Sequence, residues 1–147
     1  MVPARRLPAA PVQPSHTRNV LRFIPLGGCG EVGRSCYIYE CRDDIVIVDM
    51  GLQWPDEDMP GIDYLIPNVE YLQTKRKNIR GIVITHGHYD HIGAIPHLLD
   101  KLGNPPIYAT ALTRGMILKR QEEFKFGPKP NIEVVTPESR VELGSIE

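Results

Sequence analysis

Gly81-Ile82-Val83-Ile84-Thr85 leads directly into His86-Gly87-His88-Tyr89-Asp90-His91, and this junction restricts the fold more than any other stretch of the chain. A short, uninterrupted apolar run of β-branched residues reads as a strand covered on both faces. Beyond the histidines, Ile92, Ile95, Leu98, Leu99 and Leu102 recur at helical spacing until Gly103-Asn104-Pro105-Pro106 stops them, which predicts a helix over 91–102. Buried strand, polar loop and helix in that order make an α/β chain, with its reactive groups at the end of a rigid strand.

The remaining elements follow from the same rules. Leu21 to Leu26, Ser35 to Cys41 and Ile45 to Asp49 are short runs rich in Ile, Val, Tyr and Phe, and the polar turn Arg42-Asp43-Asp44 predicts that the last two form an antiparallel hairpin. Residues 51–68, with Pro55, Pro60, Gly61 and Pro67, form a loop long enough to suggest a role at a site. A short helix follows, with Val69, Leu72 and Ile79 able to face the core, while Lys75, Arg76, Lys77 and Arg80 read as a solvated basic end rather than a phosphate site. Ile107 to Ala109 predicts a strand, and Leu112 to Phe124 a helix packed through Leu112, Met116, Leu118 and Phe124. Ile132 to Val135 and Arg140 to Leu143 read as strands, and Gly144 to Glu147 as a turn towards another. The expected organisation is a flexible Pro- and Arg-rich arm over 1–19 and part of one domain over 20–147, the chain stopping inside that domain.

Composition excludes several classes. A formal net charge of -1 announces no nucleic-acid partner by itself. Cys29, Cys36 and Cys41 are odd in number and form no C-x-x-C pair, which argues against a disulfide framework or zinc ribbon and for a reduced, cytoplasmic setting. The apolar runs fall far short of the roughly 20 residues of a membrane span, and the N-terminal arm lacks the apolar centre of a signal peptide.

Three of the five histidines fall within the six residues 86–91. His86 and His88, two apart in an extended segment, project to one side and can share a metal, for which imidazole nitrogen suits zinc. Asp90 and His91, displaced by the turn into the helix, can face a second metal. Gly87 lets the backbone approach closely. Two metals about 3.5–4 Å apart can activate a shared water and clamp both oxygens of a phosphodiester displacement.

The pattern H-x-H-x-D-H, matched by His86, His88, Asp90 and His91, resembles the signature of the metallo-β-lactamase fold superfamily, an α/β fold built as an αββα sandwich. Within it, Gly27-Gly28-Cys29-Gly30-Glu31-Val32-Gly33, Val48-Asp49-Met50-Gly51, Pro55 to Asp63, His91 to Pro96 and Pro106 to Ala109 are similar to the ribonuclease J family, from about Leu21 to the end. The resemblance implies an RNA nuclease, a 5′ exonuclease and sometimes an endonuclease, with two Zn2+ ions (Mn2+ or Mg2+ as substitutes). It also implies a cytoplasmic homodimer or homotetramer with an inserted β-CASP domain. Asp49 takes the place of the family's supporting aspartate, an orienting group rather than a ligand. In the intact enzyme a hydroxide held between the metals would attack RNA phosphorus, with Asp90 placed to handle its proton. The next histidine ligand and the bridging aspartate are expected after residue 147, so this stretch alone should hold metal weakly and catalyse poorly.

Four rivals remain. The hexapeptide could be a loop of hydrogen-bonded histidines, and Gly28-x-Gly30-x-x-Gly33 superficially fits a dinucleotide fingerprint but is followed by an alternating, strand-like segment instead of a helix. A small-molecule metallohydrolase such as a thioesterase or lactonase shares the histidine motif, and a truncated, non-catalytic binding fragment shares the fold. His97, six residues beyond His91, falls on another helix face and reads as a packing residue.

Overall fold

A computed structural model describes residues 20–124 and 127–147; the N-terminal arm read from the sequence lies outside the described residues. Six strands form one mixed sheet in sequential order: β1 (Leu21–Gly27), β2 (Cys36–Cys41), β3 (Asp44–Val48), β4 (Ile79–Val83), β5 (Ile107–Ala109) and β6 (Ile132–Val134). The first three are antiparallel meanders and the last three join in parallel. The β2–β3 hairpin forms as expected: Cys41 pairs with Asp44, and Arg42 takes a positive φ of 55°, which a two-residue hairpin turn requires.

Alternation along β2 buries Cys36, Ile38 and Glu40 and turns Tyr37, Tyr39 and Cys41 to the other face. The buried row continues through Ile45 and Ile47, Ile82, and Ile107 and Ala109, and the helices cover it. These are α1 (Glu70–Gln73), α2 (Tyr89–Ile92), α3 (Ile95–Leu98) and α4 (Ala111–Gln121). Leu72, Ile92, Ile95, Leu98, Leu99, Leu102 and Ile117 close the core from the helical side. The result is one sheet-and-helix half of the expected sandwich. On the opposite face Tyr39, Val46, Val48, Val83 and Tyr108 line an apolar groove with Val141, Leu143 and Ile146 from the C-terminal segment. No helix among the described residues is long and apolar enough to cross a membrane.

Three expectations are corrected. The helix over 91–102 is broken into α2, α3 and a 3-10 turn at Asp100–Leu102. The Asp90 and His91 carbonyls accept from the Ser35 and Met50 N–H groups instead, and the Ala94 N–H turns to the Met50 carbonyl, so the ladder is interrupted at Gly93–Ala94 and Pro96 falls in the first turn of α3, where its missing N–H is not needed. In α4 the buried pair is Thr113 and Ile117, whereas Leu112 is 77% exposed and Met116 lies at the surface; Thr110 caps the helix by accepting from the Thr113 N–H, which fixes the rotation. Arg140 to Leu143 is not a strand. Leu143 makes an isolated bridge to Ile146, and the turn is pinned to the β2–β3 hairpin, because the Ser145 N–H donates to Asp44 Oδ2 at 2.7 Å and its hydroxyl to the Cys41 carbonyl.

Candidate metal centre

The hexapeptide 86–91 sits where β4 ends, and the loop after β3 holds it there. Backbone bonds stitch the two together: Asp49 N–H to the Val83 carbonyl, Met50 N–H to His91, Leu52 N–H to Tyr89 and Ala94 N–H back to Met50, all between 2.8 and 3.0 Å. The Ser35 N–H donates to the Asp90 carbonyl and the Gly51 N–H to the Ser35 carbonyl. Glycine is required at position 51, because a Cβ there would collide with the Asp90 carbonyl and crowd the Ser35 nitrogen. At Gly87 the neighbour is the Met116 Sδ, the end of a flexible side chain that can move aside, so the demand for glycine is weaker there.

Asp49 is 2% exposed and adopts a left-handed backbone with φ of 63°. That conformation is rare outside glycine, tolerated by aspartate, and concentrated at functional sites. Its carboxylate accepts from the Thr85 N–H at 2.8 Å, from the Thr85 hydroxyl at 2.8 Å, and from His91 Nδ1 at 2.8 Å. An ionised carboxylate only accepts, so His91 Nδ1 is the donor towards Asp49, and the ring is held with Nε2 turned to the other side. The same logic passes through Thr85. Its hydroxyl proton is committed to Asp49, so its oxygen accepts from His86 Nδ1 at 3.1 Å and the ring presents Nε2 on its far side.

Those far nitrogens meet the remaining donors. His86 Nε2 lies 3.2 Å from His88 Nδ1, and His91 Nε2 lies 3.3 Å from Asp90 Oδ2. The His86 ring is packed against both partners, 4.6 Å from His88 and 4.0 Å from His91 between centroids. All five residues singled out from the sequence are therefore brought together, as two facing pairs plus a buried carboxylate. Among the described residues no three of His, Cys, Asp or Glu are grouped as a ready cage for a single ion; the donors come in twos. Thr85 was missed by the sequence reading, although its place between a buried strand and a histidine cluster is the signal that marks it.

The neighbouring candidates do not join. Burial, with the Asp49 charge adding to it, pushes the Cys36 thiol up to about 12, which leaves it a protonated core residue. His97 packs against Tyr64 and Phe124, and burial together with the charges of Arg120 and Lys101 holds its pKa below the usual imidazole value. Lys75 and Arg80 of the basic run are engaged with Glu40 and Asp44. The glycine-rich loop leads into β2, not a helix, so the dinucleotide fingerprint lacks its helix.

The Metallo-beta-lactamase superfamily profile matches residues 29–145, and the chain belongs to that superfamily. Within it, the chain is 43% identical to Ribonuclease J of Thermus thermophilus over 129 residues, 84% of this chain and 22% of that protein. It is 37% identical to Ribonuclease J of Synechocystis sp. over 126 residues, 86% of this chain and 20% of that one. The chain thus spans about a fifth of the length of the curated relatives it matches. The metallo-β-lactamase MIM-1 from Novosphingobium pentaromativorans shares the fold, with a TM-score of 0.55 and 22% identity over 82% of this chain and 44% of that one.

Proposed function

We propose that this chain carries the first four metal donors of an RNA-hydrolysing enzyme similar to ribonuclease J. His86 and His88 hold one metal, Asp90 and His91 the other, and Asp49 orients His91. The observation that carries the reading is the spacing of the facing atoms. Two imidazole nitrogens each about 2.0–2.1 Å from a tetrahedral zinc stand about 3.3 Å apart, and His86 Nε2 and His88 Nδ1 are 3.2 Å apart. Two lone pairs at that distance repel unless a proton or a cation lies between them. The donor set, nitrogen with one carboxylate oxygen, suits zinc, with manganese or magnesium as substitutes.

When bound, such a pair of metals supplies Lewis acidity and a water of lowered pKa. The chain's own residues supply the rest. Asp49 and Thr85 would keep the Nδ1 protons of His91 and His86 when metal binds, leaving Nε2 of both rings as the ligating atoms. Asp90, 37% exposed, presents its carboxylate at the open side, where Oδ1 can take a proton from the attacking water. A catalytic zinc takes three protein ligands plus water, so each metal requires one more ligand from outside these four residues. The similarity to Ribonuclease J supports RNA as the substrate; the cytoplasm as the setting and a homodimer or homotetramer as the assembly belong to the same proposal.

The test is metal content together with cleavage of a 5′-monophosphorylated RNA by the full-length protein and its His88→Ala variant. About two metals per chain and RNA degradation, both lost in the variant, are expected. Bound metal with intact RNA and a hydrolysed thioester or lactone would replace the nuclease by a small-molecule hydrolase. No metal at all would leave a hydrogen-bonded histidine loop.

A further inference from the structure

The metal centre explains Asp90 but not the rings beside it. Trp54 and Tyr89 are 63% and 41% exposed, with centroids 6.4 Å apart and planes 27° from parallel. Both line an open hollow together with Val32, Gln53, Asp56 and Asp90, so the hollow shares a wall with the metal donors. An indole and a phenol left in water forgo the burial that normally stabilises such side chains, and contiguous exposed aromatic surface marks a binding site.

Neither ring stands on a loose support. The Leu52 N–H donates to the Tyr89 carbonyl, and Gln53 bridges to Leu65, which holds the segment leading to Trp54. The Arg120 guanidinium lies 5.0 Å from the centre of the Tyr89 ring and 4.8 Å from that of Phe124, and Phe124 packs edge-on against His97. The tyrosine is therefore braced, and the two near-parallel rings form an aromatic shelf beside the metal donors. Asp56 and Asp90 place carboxylates in the same hollow, which disfavours an anionic occupant there and favours a planar, uncharged one. In a nucleic acid that group is the base, while the phosphate belongs with the metals.

We infer that this shelf receives a nucleobase of single-stranded RNA, stacked on Trp54 and Tyr89 beside the phosphodiester to be cleaved; the inference rests on the hydrolase reading above. Stacking on an aromatic face tolerates any base, so the shelf positions the strand without selecting a sequence. Val32, 87% exposed at the rim, adds apolar surface for the same ring.

Trp54 is the single tryptophan of this sequence, so its emission reports contact directly. A short 5′-monophosphorylated oligoribonucleotide and the same oligomer made abasic are each titrated into the chain, and cleavage of the first is followed in parallel on the metal-loaded full-length protein. Saturable quenching by the base-bearing oligomer and none by the abasic one is expected. Trp54→Ala should weaken retention of a labelled base-bearing oligomer about tenfold, Tyr89→Leu somewhat less, and Trp54→Phe should restore most of it. Equal quenching by both oligomers, or RNA cleavage without quenching, would overturn the shelf and leave the hydrolase reading standing. Quenching without cleavage in the full-length protein would overturn the hydrolase reading and keep the shelf as a nucleobase site. Quenching by an apolar peptide but by neither oligomer would assign the shelf to a protein partner and overturn the inference.

Discussion

Two buried carboxylates, Glu40 and Asp49, sit at opposite ends of the same sheet and are 3% and 2% exposed. Burial imposes the same demand on both, that every lone pair find a donor. Glu40 meets it with groups that end the network: Lys75 Nζ donates at 2.8 Å, Arg22 at 3.4 Å, and the Tyr71 hydroxyl donates to the second oxygen. Asp49 meets it with a threonine hydroxyl, a backbone N–H and an imidazole. Those donors pass the constraint on, because each imidazole fixed at Nδ1 exposes Nε2. One carboxylate closes a network on itself, and the other hands its constraint on to ring nitrogens at the surface. Buried charge alone does not mark a site; what lies at the far end of its donors does.

The comparison breaks most sharply at the open end. His86→Ala or His91→Ala is expected to reduce RNA cleavage by the full-length protein to background and to lose a metal, read by elemental analysis, while far-ultraviolet dichroism stays that of the wild type. Asp49→Asn keeps the left-handed backbone accessible but loses the charge that holds His91, so metal affinity should fall about 10–100-fold in a chelator competition. A variant with unchanged affinity would show that Asp49 only packs the loop.

At the closed end the effects belong to stability. Glu40→Gln keeps the shape but leaves Lys75 facing a neutral amide, and should cost about 1–3 kcal/mol in urea unfolding with metal content retained. Burial by itself would raise the Glu40 pKa, but the hydrogen bonds from Lys75 and Tyr71 and the charges of Lys75 and Arg22 bring it below the usual carboxylate value. A depressed pKa means that the contribution is complete above the unfolded value of about 4.3 and fades as pH falls through the lower, folded one. The wild type should therefore lose part of its stability below about pH 4, and Glu40→Gln should flatten that limb. Lys75 shifts upward despite its burial, through the hydrogen bonds to Glu40 and Tyr71. Its share is present below the ordinary lysine value and is lost only as pH rises past it, which is the smallest of these effects.

Much of this was legible in the sequence, for reasons that differ by residue. His86, His88, Asp90 and His91 were visible because their spacing is itself the geometry: two apart on an extended segment, then displaced by a turn. Asp49 was visible only by likeness, since an aspartate ending a strand is ordinarily a turn residue; its left-handed backbone and its bond to His91 are tertiary facts. Glu40 stood out by nothing except its parity with Cys36 and Ile38 along β2, and its partners come from β1 and the segment around α1. The split between α2 and α3 is a tertiary fact too, since the loops around Ser35 and Met50 take the backbone groups that would have continued one helix through Gly93 and Ala94. The rotation of α4 went wrong because Leu112 and Met116 have the hydrophobicity of core residues, whereas the Thr110 cap turns Thr113 and Ile117 inward. Trp54 and Tyr89 lie 35 residues apart in the numbering, and only the stitching of the two loops brings their rings together.

The most direct measurement is anomalous diffraction at the zinc edge from crystals of the full-length protein grown with zinc. Two peaks are expected, one shared by His86 Nε2 and His88 Nδ1 and the other by Asp90 Oδ2 and His91 Nε2, with His91 Nδ1 still bonded to Asp49. A single peak bridging all four side chains, or a histidine cluster closed on its own hydrogen bonds with no peak, would contradict the two-pair assignment.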